Sequence, residues 1–267
     1  MPSPDGILPD YRNPPVTEII AAAQFAPVPL AGIEHIVALG REFGDWRVVE
    51  APPAIPPMSE GPAGQELPQA FFAFGNPPVR VVLATEDGRW VAQFQQDRVA
   101  VHERKIAARP SFRHVGPKLA DFARRTSKAL GVELFSDNHR SDLVEVIYEN
   151  RIAAADGGWS DFGDLHRVLS FLNETAGEAP YERVEQVAAA FSYALMDGAS
   201  LAGRLRIAAD PQYDGDGRPV LSLRLTSRRF VGESDLDQIM EACHADVVSA
   251  FTAITTPHMH EQWGRYR

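Results

Sequence analysis

Apolar and polar positions follow two different periods along this chain, and the switches between them mark its elements. Pro14–Phe25 (PPVTEIIAAAQF) reads as a strand that runs into a bend. Over Leu30–Phe43, Ile33, Ile36 and Val37 recur at helical spacing with the small Gly40, and Gly44 suits a stop. Trp46, Val48 and Val49 form a short strand candidate. Arg80–Thr85, Trp90–Gln96 and Arg98–Glu103 alternate with period two, with turns at Glu86-Asp87-Gly88-Arg89 and Gln96-Asp97, which predicts an antiparallel meander. Pro110–Gly131 then returns to the helical period. Val115, Leu119, Phe122, Ala123, Thr126 and Leu130 share one face, and Pro117 either kinks this helix or opens its regular part.

The same succession recurs from Leu143 onward. Leu143–Ile152 predicts a strand, Trp159–Leu172 a partly helical stretch, and Glu182–Met196 a long strand with one break in its alternation. Ser200–Ala209 and Val220–Thr226 predict two further strands joined by an Asp- and Gly-rich loop over Asp210–Pro219. Ser234–Ile254 predicts the last long helix, with Ser234 as N-cap and Asp235 and Asp237 in the first turn. The expected fold class is therefore α+β. Residues 1–140 and 141–267 form two similar halves, each an antiparallel meander sheet with a long helix packed on one face. The shared order reads as an internal duplication whose two sheets join edge to edge, which would hide edges that invite aggregation. One larger α+β domain is the alternative.

Between the halves' regular elements lies a segment of another kind. Residues 52–78 hold eight prolines, and proline removes backbone donors and fixes φ, so neither helix nor central strand persists there. An extended surface loop is expected, with Leu67–Phe74 docked on the body. A motif for a proline-binding partner is the other reading.

The chain has 267 residues, slightly under two domains at about 150 residues each. Its single cysteine, Cys243, rules out an intramolecular disulfide. Met1–Asn13 lacks the basic start and apolar run of a signal peptide, and no apolar stretch is long enough to span a membrane. A cytoplasmic location is expected. The net charge of −10 argues against a DNA-coating protein but conceals an uneven distribution. Residues 98–128 carry nine bases (Arg98, Arg104, Lys105, Arg109, Arg113, Lys118, Arg124, Arg125 and Lys128) against Glu103 and Asp121, a local +7 on a −17 background. This stretch is an anion-binding candidate for nucleic acid, phosphate or an acidic protein face. A solvated helix face paired with acids elsewhere is the simpler reading.

Motifs of established chemistry are missing. No phosphate-binding glycine loop, nucleophile elbow or H-E-x-x-H is present. His258, His260 and Glu261 read as polar residues near a fraying terminus, and Cys243 beside His244 as a small buried thiol. Asp210, Asp214 and Asp216 lack the closing acid of a calcium loop and read as turn formers. No metal, cofactor or catalytic residue is expected.

Several segments together carry a family resemblance: Tyr11-Arg12-Asn13-Pro14-Pro15-Val16-Thr17-Glu18, Trp90, Arg109-Pro110-Ser111-Phe112, Ile147-Tyr148-Glu149-Asn150-Arg151-Ile152, and then His244, Phe251, Ile254-Thr255 and Trp263-Gly264. In this order and length the chain resembles a sporadically distributed family of uncharacterised prokaryotic proteins. The family shares an N-terminal Pro-Pro-apolar-x-Glu strand, a mid-chain Tyr-x-Asn-Arg-Ile strand and a C-terminal His/Phe/Thr helix. Val144-Glu145-Val146 departs from the basic residue that tends to open the mid-chain strand. The resemblance implies no activity. The family's patchy distribution implies an accessory role in bacterial defence against phage or mobile elements. Among the matched residues, Glu18, Tyr148, Asn150 and Arg151 form a ligand-binding or structural polar set, with Glu18 and Arg151 expected to pair at the join between halves. The leading expectation is a non-enzymatic binding or adaptor protein with a protein partner. A small-molecule binder or enzyme with a cavity between sheet and helices, and a nucleic-acid component using the basic stretch, are the alternatives.

Overall fold

A computed structural model describes residues 8–28, 33–60, 80–134, 141–173, 184, 187–232 and 235–266. Its centre is one antiparallel sheet of nine strands. The first half contributes β1 (Val16–Phe25), β2 (Arg47–Glu50), β3 (Val81–Ala84), β4 (Trp90–Gln95) and β5 (Arg98–Arg104). The second contributes β6 (Ser141–Ala153), β7 (Ala189–Asp197), β8 (Ser200–Tyr213) and β9 (Pro219–Phe230). The order across the sheet is β2-β3-β4-β5-β1-β6-β9-β8-β7. Strand β1 lies beside β5 and β6 beside β9, and β1 and β6 pair with each other at the centre, so all nine strands form a single continuous sheet.

The helices are α1 (Ile33–Glu42), α2 (Phe112–Leu130), α3 (Leu236–Ile254) and α4 (Pro257–Gln262). Helix α2 lies over β5 and β1, and α3 over β6 and β9. Alternation sorts each strand's side chains between the two faces. Ile19, Ala21, Ala23 and Phe25 of β1, Val99 and Val101 of β5, and Val144 and Val146 of β6 meet α2's Val115, Leu119 and Phe122 in one core. Ile207, Leu223 and Leu225 meet α3's Val247 and Phe251 in the other. Pro117 sits inside α2, and Gly131 ends that helix with a left-handed turn (φ 65°).

Five details differ from the sequence reading. The long strand expected over Glu182–Met196 begins only at Ala189, as β7, and Val184 and Val187 precede it. The loop expected over Asp210–Pro219 is shorter, because β8 continues to Tyr213 and β9 begins at Pro219. Asp214 closes the turn by accepting the amides of Asp216 and Arg218. Asp235 caps α3, its side chain accepting the Asp237 amide, and Ser234 lies outside the described residues. The C-terminus does not fray. Helix α4 buries Met259 and His260, and the backbone of Arg12 and Asn13 bonds Gly264 and Trp263. Nor does Glu18 pair with Arg151. In the central register Glu18 faces Glu149, so Arg151 falls beyond the paired part of β1 and bonds Asp214, while Glu18 bonds His102 and Arg104.

The helix-free face of the sheet is polar and is crossed by the proline-rich segment. Pro52 O accepts the Arg80 amide. The backbone of Ile55 exchanges two hydrogen bonds with the Gln95 side chain (3.1 and 2.9 Å). Pro56 O accepts Arg98 (2.8 Å), and the backbone of Met58 exchanges two bonds with the Gln24 side chain. The spacing has a simple origin. Three residues of proline-rich extended chain cover ~9.3 Å, and two strand spacings, the step from β4 to β1, cover ~9.6 Å. A chain running across strands cannot join their ladder, so side-chain amides satisfy its backbone instead. Leu67–Phe74 and the later prolines lie outside the described residues.

Candidate cavity between the two long helices

Because α2 and α3 rest on different strands, a space opens between them on the helix face. Its volume is about 690 Å³, within the range of small-molecule sites. The floor is Val16 and Ile19 of β1, Tyr148 and Asn150 of β6, and Leu225 of β9. One wall is a stripe of α3, Glu241, His244, Val247, Val248 and Phe251, residues whose spacing puts them on one side of a helix. The opposite wall is Arg109–Arg113, where the chain enters α2, and the N-terminal Leu8–Tyr11 covers the top. Residues far apart in the chain therefore converge here: Tyr11, Pro14, Val16, Arg109–Phe112, Tyr148, Asn150, His244 and Phe251 all line this one space.

Its most organised feature is an aromatic–imidazole stack. Phe112 lies on His244 with centroids 4.2 Å apart and planes 7° from parallel. Tyr148 Oη lies 2.8 Å from His244 Nδ1. Burial drives the Tyr148 phenol well above its ordinary pKa, and the nearby Glu241 and Asp10 carboxylates push the same way. Burial pulls His244 down to about 4, opposed by Asp10. At neutral pH both groups are therefore uncharged. A neutral phenol both donates and accepts: with the phenol donating, Nδ1 accepts and the ring proton sits on Nε2, and with the ring donating, Nε2 is the acceptor. In either tautomer Nε2 has no hydrogen-bond partner among the described residues.

Around the stack the polar groups are held in place. Asn150 Nδ2 donates to Leu223 O (3.0 Å), and Tyr11 Oη bonds Thr252 Oγ1 (2.9 Å). Arg109 Nη1 donates to Tyr11 O (2.5 Å), which ties the α2 entry to the cover. The entry is anchored further by Glu103, whose side chain is 0% exposed. This carboxylate accepts from Arg89 Nη2 (2.5 Å) and the Ser111 amide (2.8 Å) and lies 3.0 Å from His114 Nδ1. A fixed negative charge at a helix N-terminus is favourable. In the sequence Glu103 is visible only as an acid within a basic run. The sharper signal is its place in the inward-facing series Val99, Val101, Glu103 of β5.

The sequence-derived polar set is divided by the sheet. Tyr148 and Asn150 face the cavity, whereas Glu18 and Arg151 lie on the opposite side, where Glu18 accepts from Arg104 Nε (3.1 Å) and lies 2.9 Å from His102 Nδ1. His244 completes the set. It was legible only as part of the C-terminal motif. The basic stretch is also dispersed. Arg98 and Arg104 stand on the helix-free face, and Lys105 follows the end of β5. Arg109 and Arg113 border the cavity. Lys118 lies over the rings of Trp46 and Trp90 (5.2 and 5.5 Å). Arg124 pairs with Asp121, Arg125 with Asp45 and Glu42, and Lys128 with Glu42.

Cys243 is fully buried against the sheet, and burial pushes its thiol up to about 12, so it is not a nucleophile at neutral pH. Among the described residues no group of three or more His, Cys, Asp or Glu side chains is placed to hold a metal ion, and no helix is long and apolar enough to cross a membrane. No protein-family model matches the chain, and no curated protein matches it.

Proposed function

We propose that this is a binding protein whose working site is the cavity between α2, α3 and the β1–β6 pair, and that its ligand is a small, flat organic molecule of low net charge. The observation that carries this reading is the Phe112–His244–Tyr148 arrangement inside a space of about 690 Å³. Aromatic walls favour flat, unsaturated ligands. With the Tyr148 phenol donating to Nδ1, the neutral imidazole offers one N–H donor to an acceptor on that ligand. The formal charges of Arg109 and Arg113 are matched by those of Asp10 and Glu241, so the lining does not select a strongly charged molecule. The site lies over the central β1–β6 pair, where a small-molecule cavity between sheet and helices was one of the expected alternatives. No step of bond-making chemistry is assigned to it.

A fragment screen by thermal shift tests this directly. Planar compounds with a hydrogen-bond acceptor should stabilise the wild type, and Val248→Trp, which fills the space, should abolish the shift without unfolding the protein. Binding that survives Val248→Trp, or a complete lack of binders, would overturn the proposal.

A further inference from the structure

The proline-rich strap crosses one face of the sheet, but the sheet also has two edges, and they are built differently. Strand β2 is short: its four residues begin at Arg47 and end at Glu50, a charge at each end. Charge and shortness keep an edge from taking on a further strand. Strand β7 has neither. It runs nine residues, Ala189–Asp197, without a proline or a glycine, and its one charge stands at the last position. Its register against β8 shifts once, where Leu195 faces Gly203 and Met196 faces Leu201, so the extra residue lies in β8 and β7 itself stays regular. Among the described residues no strand lies beside β7 on the side away from β8.

The side chains of this edge are left in solvent. Alternation sends Phe191, Tyr193 and Leu195 to one face and Ala190, Ser192, Ala194 and Met196 to the other. Phe191 and Leu195 pack partly against the core beneath α3, whereas Tyr193 stays 47% exposed and Met196 55%. Phe191 meets the exposed Phe171 edge to face (centroids 4.9 Å apart), and Tyr193 lies beside Phe191 (6.3 Å). An aromatic strip therefore runs out to the edge of the sheet. An apolar edge of this length invites a further strand.

We propose that β7 pairs with β7 of a second copy of this chain, antiparallel about a two-fold axis normal to the sheet at Tyr193. Tyr193 is the midpoint of Ala189–Asp197, so this register alone pairs the strand over its whole length. It sets Phe191 against Leu195, Ser192 against Ala194, Ala190 against Met196, and Tyr193 against its own copy. Each pair shares a face, so the aromatic strip continues into the second molecule. Asp197 falls opposite Ala189, and the strand's one charge never meets itself. A foreign peptide would find no charge over Ala189–Met196 to fix its register, whereas the strand's own copy matches it from end to end. The assembly also closes. Each copy spends its apolar edge on the other, and the edges that remain are two copies of the short, charged β2, so growth stops at two.

Sedimentation equilibrium of the full chain tests this and should show a reversible monomer–dimer equilibrium. Each copy carries a formal charge of −10, so added sodium chloride should strengthen the dimer by screening, where a dimer held by ion pairs would weaken. Tyr193→Lys sets two like charges face to face at the axis and should weaken association on the order of tenfold or more. Tyr193→Glu should do the same, and an equimolar mixture of the two variants should form a heterodimer, which also shows that both fold. In the wild type, hydrogen exchange of the β7 amides should slow as protein concentration rises, while that of the β2 amides should not. A wild type that stays monomeric throughout would overturn the proposal and leave this edge to a strand of another protein. A dimer indifferent to Tyr193→Lys, or Lys and Glu variants that fail to recombine, would overturn it by placing the interface elsewhere. The cavity reading is independent of every outcome, since no residue of β7 lines that space.

Discussion

Glu18 and Glu149 stand directly opposite each other across the central strand pair, two like charges in the middle of the sheet. Facing carboxylates in an antiparallel pair repel. The sheet counters each from its outer neighbour. Glu18 takes Arg104 and lies against His102 from β5, and Glu149 takes Arg224 from β9. Burial pushes the Glu18 carboxyl up, but the bonds from His102 and Arg104 together hold it below its ordinary value.

The first prediction follows from that row. Arg224→Ala should destabilise the protein by about 1 kcal/mol in urea unfolding, because it loses an ion pair and unmasks the Glu18–Glu149 repulsion. Glu149→Gln should recover most of the loss in the double variant. Strict additivity of the two changes would show that Arg224 and Glu149 do not interact.

The second concerns the strap. Gln95→Leu should remove the two bonds to the Ile55 backbone and leave the Met58–Gln24 pair in place. The Ile55 amide should then exchange markedly faster than the Met58 amide, with a stability cost of about 1–2 kcal/mol. Gln24→Leu should reverse the pattern. Equal acceleration of both amides in either variant would mean that the strap is released as one unit rather than bond by bond.

The third concerns pH. His244 has a folded pKa of about 4 against an unfolded value near 6.5, so the unfolded chain takes up a proton first as pH falls. The stability that neutral His244 supplies is intact above about pH 6.5 and is lost progressively towards pH 4, an effect on the order of 3 kcal/mol. Burial lowers His260 in the same direction. Urea midpoints measured from pH 7.5 to 4.5 should fall, and His244→Phe should flatten that slope. An unchanged slope in His244→Phe would assign the acid sensitivity elsewhere.

Much of the architecture was legible because local patterns and global packing agree. The inward-facing series Ile19, Ala21, Ala23 of β1 and the stripe Val115, Leu119, Phe122 of α2 each carry their period in the residues themselves. The pairing of β1 with β6 and its register were not legible, because both depend on strand partners far apart in the chain. Hence Glu18 met Glu149 and not Arg151. The cavity residues were found piecemeal. Tyr148 and His244 lie 96 positions apart, and no local period links a strand residue to a helix residue that faces it. The strap was read as an excursion because its partners, Gln24 and Gln95, are polar strand positions whose meaning appears only when a backbone crosses them.

The central pairing has a consequence for synthesis. When the first half has emerged, the far edge of β1 is a ready template for foreign strands, but β6 begins soon after α2 ends, so that edge is covered early. The far edge of β6 waits for β9, the last strand made, roughly 3–13 s later at ordinary elongation rates of about 5–20 residues per second. On the ribosome, then, the vulnerable surface is the outer edge of Ser141–Ala153, and a nascent-chain chaperone would have most to protect there.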